Sequence, residues 1–205
     1  NVLFIGGSIT AGAGASSHEK SYTGLLTWWF EENFENDINV LNLSIGGTGS
    51  DFAAYRLEHD LDGFIPDITF YEFAVNDGNK DYDYIQTHVE ILLGKFRKIN
   101  PEVRVISIIT TAEEHGSYYL EQRFPPAAYA HINVAANNGV PVVLAGQYLW
   151  NHIQGNDLNS KDFLPDGVHP NDAGYQLYYE SVLQFLESSD ITSSINSKTL
   201  PQEEN

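Results

Sequence analysis

The amino-acid sequence predicts an α/β domain with a five-stranded parallel sheet and helices on both faces. Three observations predict it. Five short runs are apolar on successive residues, as in central parallel strands covered on both sides. Segments with helical spacing alternate with these runs, giving β-α repeated five times. Glycine, asparagine or proline punctuates the joins between them.

The first strand is Val2-Leu3-Phe4-Ile5, stopped by Gly6-Gly7. The loop from Ser8 to Lys20 is rich in small residues, and the turn at Ser8 is expected at a helix N-terminus. The spacing predicts a helix over 22–33 with Leu25, Leu26, Trp29 and Phe30 inward. Trp28 and Trp29 point about 100° apart, so one belongs to the core and the other is partly exposed. A second strand spans 39–43, closes at Gly46-Gly47, and leads to a helix over 51–60. The third strand spans 68–75 and ends at Asn76-Asp77-Gly78.

The best helical stripe is Ile85, Val89, Leu92, Leu93 and Phe96, within a helix over 84–99 that Pro101 stops. A β-branched strand follows over 103–109. A long loop over 110–126 precedes a helix over 127–138, with Gly139 as its C′ residue. The fifth strand is placed over 140–145, followed by a second long loop to Val168. The last helix spans 172–186, with Asn171 as N-cap.

These elements fill one domain, residues 1–187, and residues 188–205 form a polar tail expected to be extended or disordered. The chain has 205 residues, 42% of them hydrophobic, enough for a sizeable core. Lys+Arg is 10 and Asp+Glu is 28, a formal charge of −18. Such acidity repels phosphate backbones, so nucleic acid and anionic membranes are excluded as partners. Cysteine is absent, which removes disulfides, thiolate catalysis and Cys-based zinc sites. No apolar run reaches membrane-spanning length. Methionine is absent too, so a signal peptide or preceding domain is expected to have been removed, and a secreted or cell-surface location is favoured. The oligomeric state is left open.

In open α/β sheets, sites collect at the carboxyl ends of the strands. Four such ends carry chemistry here: Gly6-Gly7-Ser8, Gly46-Gly47-Thr48-Gly49, Ala74-Val75-Asn76-Asp77 and Asp166-Gly167-Val168-His169. A serine hydroxyl is a weak nucleophile until a base takes its proton. His169 can be that base. Asp166, three residues earlier, can hold the imidazole Nδ1–H and leave Nε2 for the serine. The Ser8 and Gly47 amides and the Asn76 side chain can donate to an oxyanion. The Gly47 register is less firmly set, with Gly46 and Gly49 as neighbours.

Together these segments resemble the four blocks of the SGNH (GDSL-type) hydrolase family, in the family's order and over the whole globular part of the chain. The resemblance implies a three-layer flavodoxin-like fold and a serine esterase or acyl hydrolase. It places the nucleophile at Ser8, the triad partners at Asp166 and His169, and the oxyanion donors at Ser8, Gly47 and Asn76. No cofactor or metal is implied. Two positions depart from the pattern: Gly7 stands where the family has Asp, and Ala74 where it has Gly. The triad is untouched, but Gly7 removes a polar group beside the nucleophile and is expected to loosen the turn. The departures suggest a branch similar to carbohydrate-acting esterases.

Tyr118, Tyr119, Tyr148 and Trp150 fall in the two long loops, where they either stack on a sugar or pack the loops down. Glu72, inside an apolar strand, reads as a hydrogen-bonded structural carboxylate rather than a catalytic one. His115 with Glu113 and Glu114 lacks a metal-binding pattern and reads as a solvated loop. Ala11-Gly12-Ala13-Gly14 lacks the residues of a phosphate loop.

The function expected is removal of a small acyl group, acetyl by preference, from a carbohydrate or similar alcohol. The first alternative is transfer of the acyl group to a sugar by the same triad. The second is a carbohydrate-binding module with a decayed site, against which the intact Ser8, Asn76, Asp166 and His169 count. Glycines at 116, 146 and 155 suggest mobile loops and an open site, which favours hydrolysis.

Overall fold

A computed structural model describes residues 1–34 and 37–188. Within them lies one five-stranded parallel sheet. Its strands are β1 (Val2–Gly6), β2 (Val40–Asn42), β3 (Ile68–Glu72), β4 (Arg104–Ile108) and β5 (Val142–Val143), in spatial order β2-β1-β3-β4-β5. Every neighbouring pair is parallel. Seven helices accompany them: α1 (Tyr22–Asn33), α2 (Ser50–Leu61), α3 (Tyr82–Ile99), α4 (Gly116–Leu120), α5 (Pro126–Asn137), α6 (Ala145–Gly155) and α7 (Asp172–Ser188). The expected tail lies outside the described residues except for Ser188, which closes α7.

Alternation along β1 builds the two cores. Val2 and Phe4 join residues of α1, α6 and α7 on one face. Leu3 and Ile5 join residues of α2, α3 and α5 on the other. The α3 stripe is fully buried as the spacing demands, since Ile85, Val89, Leu92, Leu93 and Phe96 all have no exposed surface. Trp29 is the core residue of its pair and Trp28 is exposed. Ends follow local chemistry. Asn171 Oδ1 accepts the Gly174 amide and so caps α7. Gly139, at φ 66°, closes α5: its amide donates to Ala136 and the Val140 amide to Ala135.

Four expectations are corrected. The fifth strand is only two residues long, because Ala145 already opens α6. The long loops are largely helical: a 3-10 turn (Glu113–His115) and α4 occupy the first, and α6 with a 3-10 turn (Ser160–Asp162) the second. Their glycines are not hinges at Gly116 and Gly146. A Cβ on Gly116 would meet the Trp150 ring at 2.5 Å, and one on Gly146 would meet Thr111 and Thr110 at about 3 Å, so both mark close packing. Finally, Ser8 opens no helix. It begins a run of turns held by Ala11 N–H to Gly7 O, Gly12 N–H to Ile9 O and Ala13 N–H to Ser8 O.

The strand order reverses at β1, with β2 on one side and β3 on the other. The crevice beyond the carboxyl ends of β1 and β3 is therefore the expected ligand position. Gly6 pairs with Glu72 at the end of that register, which sets Ser8 and Asn76 on adjoining loops.

Candidate active site

Four loops converge at this end of the sheet. Ser8 follows β1. Beyond β2 the backbone continues beside β1, with the Leu43 amide donating to Phe4 O at 2.8 Å and the Ile45 amide to Gly6 O at 3.0 Å. That pairing carries Gly46 and Gly47 to the turn at Ser8. Asn76 follows β3, and Asp166 and His169 precede α7.

His169 Nε2 lies 2.8 Å from Ser8 Oγ, and His169 Nδ1 lies 2.7 Å from Asp166 Oδ2. The other carboxylate oxygen, Oδ1, accepts the Val168 and His169 amides at 2.8 and 2.7 Å. These hydrogen bonds, the one from the imidazole first, hold the Asp166 carboxyl well below the usual range. Asp166 therefore stays an anion and accepts a hydrogen bond from Nδ1–H, which leaves the Nε2 lone pair toward Ser8. Gly167 makes the turn possible at φ 90°. Its carbonyl accepts the Glu113 amide at 2.7 Å, so the 3-10 turn braces the loop. The pair is open to water: 57% of the Asp166 side chain and 29% of the His169 side chain are exposed.

The three glycines of the second block divide their work. Gly46 faces Ser8, since a Cβ there would sit 3.5 Å from Ser8 Cβ. Gly47 takes φ 75°, and Gly49 packs against Asp77. Among the described residues, neither the Ser8 nor the Gly47 amide is used in the backbone hydrogen-bond network. Both remain available to an oxyanion.

Beneath Ser8, Glu72 is buried and takes the Thr10 and Thr110 hydroxyls at 3.0 and 2.8 Å. Burial pushes its pKa up to about 7, against the lowering effect of the two hydroxyls. It is the hydrogen-bonded structural carboxylate expected from the sequence. Asp77, equally buried, accepts the Ser50 amide and pairs with His131 Nε2 at 3.0 Å. It ties the start of α2 and the middle of α5 to the loop carrying Asn76. Sequence reasoning missed Asp77, His131 and Tyr175. The Tyr175 hydroxyl is 2.9 Å from Ile9 O and 2.7 Å from Ala13 O, and so stitches α7 to the loop that follows β1. Only its place four residues after an N-cap marked it as inward.

The four aromatic candidates do not act alike. Tyr119 and Trp150 are buried, and Trp150 Nε1–H donates to Thr111 Oγ1 at 3.0 Å. Both pack the segments down. Tyr148 is half-buried on α6, and its hydroxyl reaches Glu180 at 3.4 Å. Tyr118 borders a cleft of about 230 Å3 that it shares with Gly78, Glu114, His115 and Pro125. His115 is not a solvated loop residue. It is half-buried, its Nδ1 accepts the Ala112 amide at 3.3 Å, and burial lowers its pKa. No cluster of three or more potential metal ligands occurs among the described residues. Nor is any helix among them long and apolar enough to cross a membrane.

The family model for GDSL-like lipases/acylhydrolases matches residues 4–177. A two-domain esterase (CEX) active on acetylated mannans is similar over the whole chain, at 27% identity and TM-score 0.82. The chain spans about half that protein, 52% of its length. A second structure of the same esterase, with mannopentaose, matches at 28% identity over 91% of this chain and 48% of that one, with TM-score 0.76. An acetyl-xylooligosaccharide esterase, Axe2, from Geobacillus is similar in fold, at 21% identity and TM-score 0.73 over 89% of this chain and 92% of that one. No curated protein sequence matches.

Proposed function

The chain belongs to the GDSL-like lipase/acylhydrolase family, and from that premise we propose that it is a serine esterase removing acetyl groups from a carbohydrate or similar alcohol. One observation carries the reading: the continuous line from Asp166 through His169 to Ser8, with links of 2.7 and 2.8 Å.

Ser8 Oγ attacks the ester carbonyl while His169 Nε2 takes its proton. Asp166 stabilises the imidazolium that forms. The Ser8 and Gly47 amides and Asn76 Nδ2 donate to the oxyanion. His169 then protonates the leaving alcohol, which departs and leaves acyl-Ser8. The same imidazole next deprotonates water, which attacks the acyl group and frees the acid and Ser8. The exposure of Asp166 and His169 gives water ready access to that intermediate, which supports hydrolysis over transfer to a second sugar.

The likeness to an esterase active on acetylated mannans supports a carbohydrate as the alcohol. So does the cleft beside Tyr118. Gly78 lies two residues beyond Asn76, and the Glu113 amide bonds to Gly167, so this cleft adjoins the site. Its aromatic face and polar rim suit a sugar ring.

The test is acetate release from an acetylated oligosaccharide and from short-chain aryl esters by the wild type and Ser8→Ala. The reading expects the wild type to act on the acetyl esters and Ser8→Ala to fall by roughly three orders of magnitude. Acetylated acceptor outweighing free acetate early in the reaction would replace hydrolysis with transfer.

A further inference from the structure

The glycine that stands in the family's aspartate position is in close contact with Asn76. A Cβ built on Gly7 would lie far inside van der Waals contact of Asn76 Oδ1, 2.7 Å from its Cγ and 3.2 Å from its Nδ2. Gly7 is not among the positive-φ glycines, so the backbone conformation alone does not require glycine. What requires it is the amide of Asn76, which rests on the Gly7 Cα. Asn76 as a residue is partly exposed, yet its Oδ1 is buried and has no hydrogen-bond partner. A buried carbonyl oxygen left without a donor is costly, and it persists only where the surroundings hold it.

The surroundings do hold it. On one side, Gly7 is fixed where β1 ends beside β3, with Gly6 in register with Glu72. Gly6 is tight as well, since a Cβ there would meet the Thr10 side chain at 2.7 Å and Glu72 O at 2.8 Å. On the other side, Asp77 is clamped by the Ser50 amide and His131. The Asn76 side chain is thus confined between two anchored backbone segments, and Gly7 is the wall it touches.

We propose that Gly7 is a positioning residue for the reaction. Its missing side chain makes the seat for the Asn76 amide, with Oδ1 turned inward on Gly7 Cα and Nδ2 left as the end that serves the oxyanion. Gly7 therefore does not loosen the nucleophile turn. The space that a side chain would take on the turn is filled by the Asn76 amide. An alanine or aspartate introduced at position 7 displaces that amide.

The inference rests on the reading of Asn76 as an oxyanion donor, and a double-mutant cycle separates the two. The variants are Gly7→Ala, Asn76→Ala and the pair together, measured for kcat and KM on an aryl acetate and for thermal unfolding. Asn76→Ala should lower kcat by about 10²–10³-fold with little change in KM. Gly7→Ala should lower kcat by at least about tenfold with little change in KM. It should add nothing in the Asn76→Ala background, because the colliding amide is gone. The double variant should also unfold no earlier than Asn76→Ala, and this holds as a test even if Gly7→Ala alone does not fold. Unchanged kcat in Asn76→Ala would remove the oxyanion reading. A full loss on Asn76→Ala with wild-type kcat in Gly7→Ala, or with the two effects multiplying, would overturn the positioning role of Gly7 while leaving that reading intact.

Discussion

His169 Nε2 stands 2.8 Å from Ser8 Oγ, although 161 positions separate the two residues. The contact spans nearly the whole domain. Ser8 is fixed by the end of the central strand, and His169 by the loop before the last helix. Gly14, at φ 92°, lets the nucleophile loop approach, since a Cβ there would meet the His169 Cβ at 3.0 Å. Two further ties hold these segments together: Tyr175 to the Ile9 and Ala13 carbonyls, and Asp172 to the Ser16 amide and hydroxyl at 2.7 and 2.6 Å.

His169→Ala should therefore lower kcat by roughly three orders of magnitude or more without unfolding the protein, because it removes the base but no core contact. Asp166→Asn should also be strongly impaired, since an amide that donates to Nδ1 leaves the proton on Nε2, facing Ser8. Steady-state rates on an aryl acetate, with circular dichroism as the control for folding, check both. Near-normal kcat in either variant counts against the assigned roles.

Trp150→Ala should act on stability instead. The indole is buried, donates to Thr111 and packs on Gly116. Its loss should cost about 3–5 kcal/mol in denaturant unfolding. KM for an acetylated oligosaccharide should stay near the wild-type value. A large rise in KM with unchanged stability would make Trp150 a substrate contact.

Glu72 gives a pH dependence with a definite sign. Its pKa is raised to about 7 in the folded protein, above the ordinary value of 4.5. The folded state thus binds a proton that the unfolded chain has released, and stability falls as pH rises between those two values. The contribution is fully present below about pH 4.5 and gone once pH has passed through about 7. Glu72→Gln has no such titration. Its melting temperature should gain on that of the wild type as pH rises from about 4.5 to 7, then hold a constant difference. A difference independent of pH across that window would show that Glu72 does not titrate in this way.

The alternation of apolar runs made the layer order and all four site loops legible in the sequence, because burial on both faces leaves a simple pattern. Residues 145–155 were not legible as a helix. Gly146 and Gly155 read as loop residues, but Gly146 marks the close approach of α6 to Thr110 and Thr111. Gly7 was visible as a departure, but not its meaning, since a space filled by a residue 69 positions away carries no local signal. The His131–Asp77 pair was hidden for the same reason: each residue looks ordinary until β3 and α5 are brought together.

Covalent labelling distinguishes Ser8 from every other serine as the nucleophile. The protein would be treated with a serine-directed phosphonate and digested, and its peptides read by mass spectrometry. One adduct should form on Ser8, at a rate that collapses in His169→Ala, with ester turnover lost in step. Phosphonylation of a different residue, or full inactivation while Ser8 remains unmodified, would contradict it.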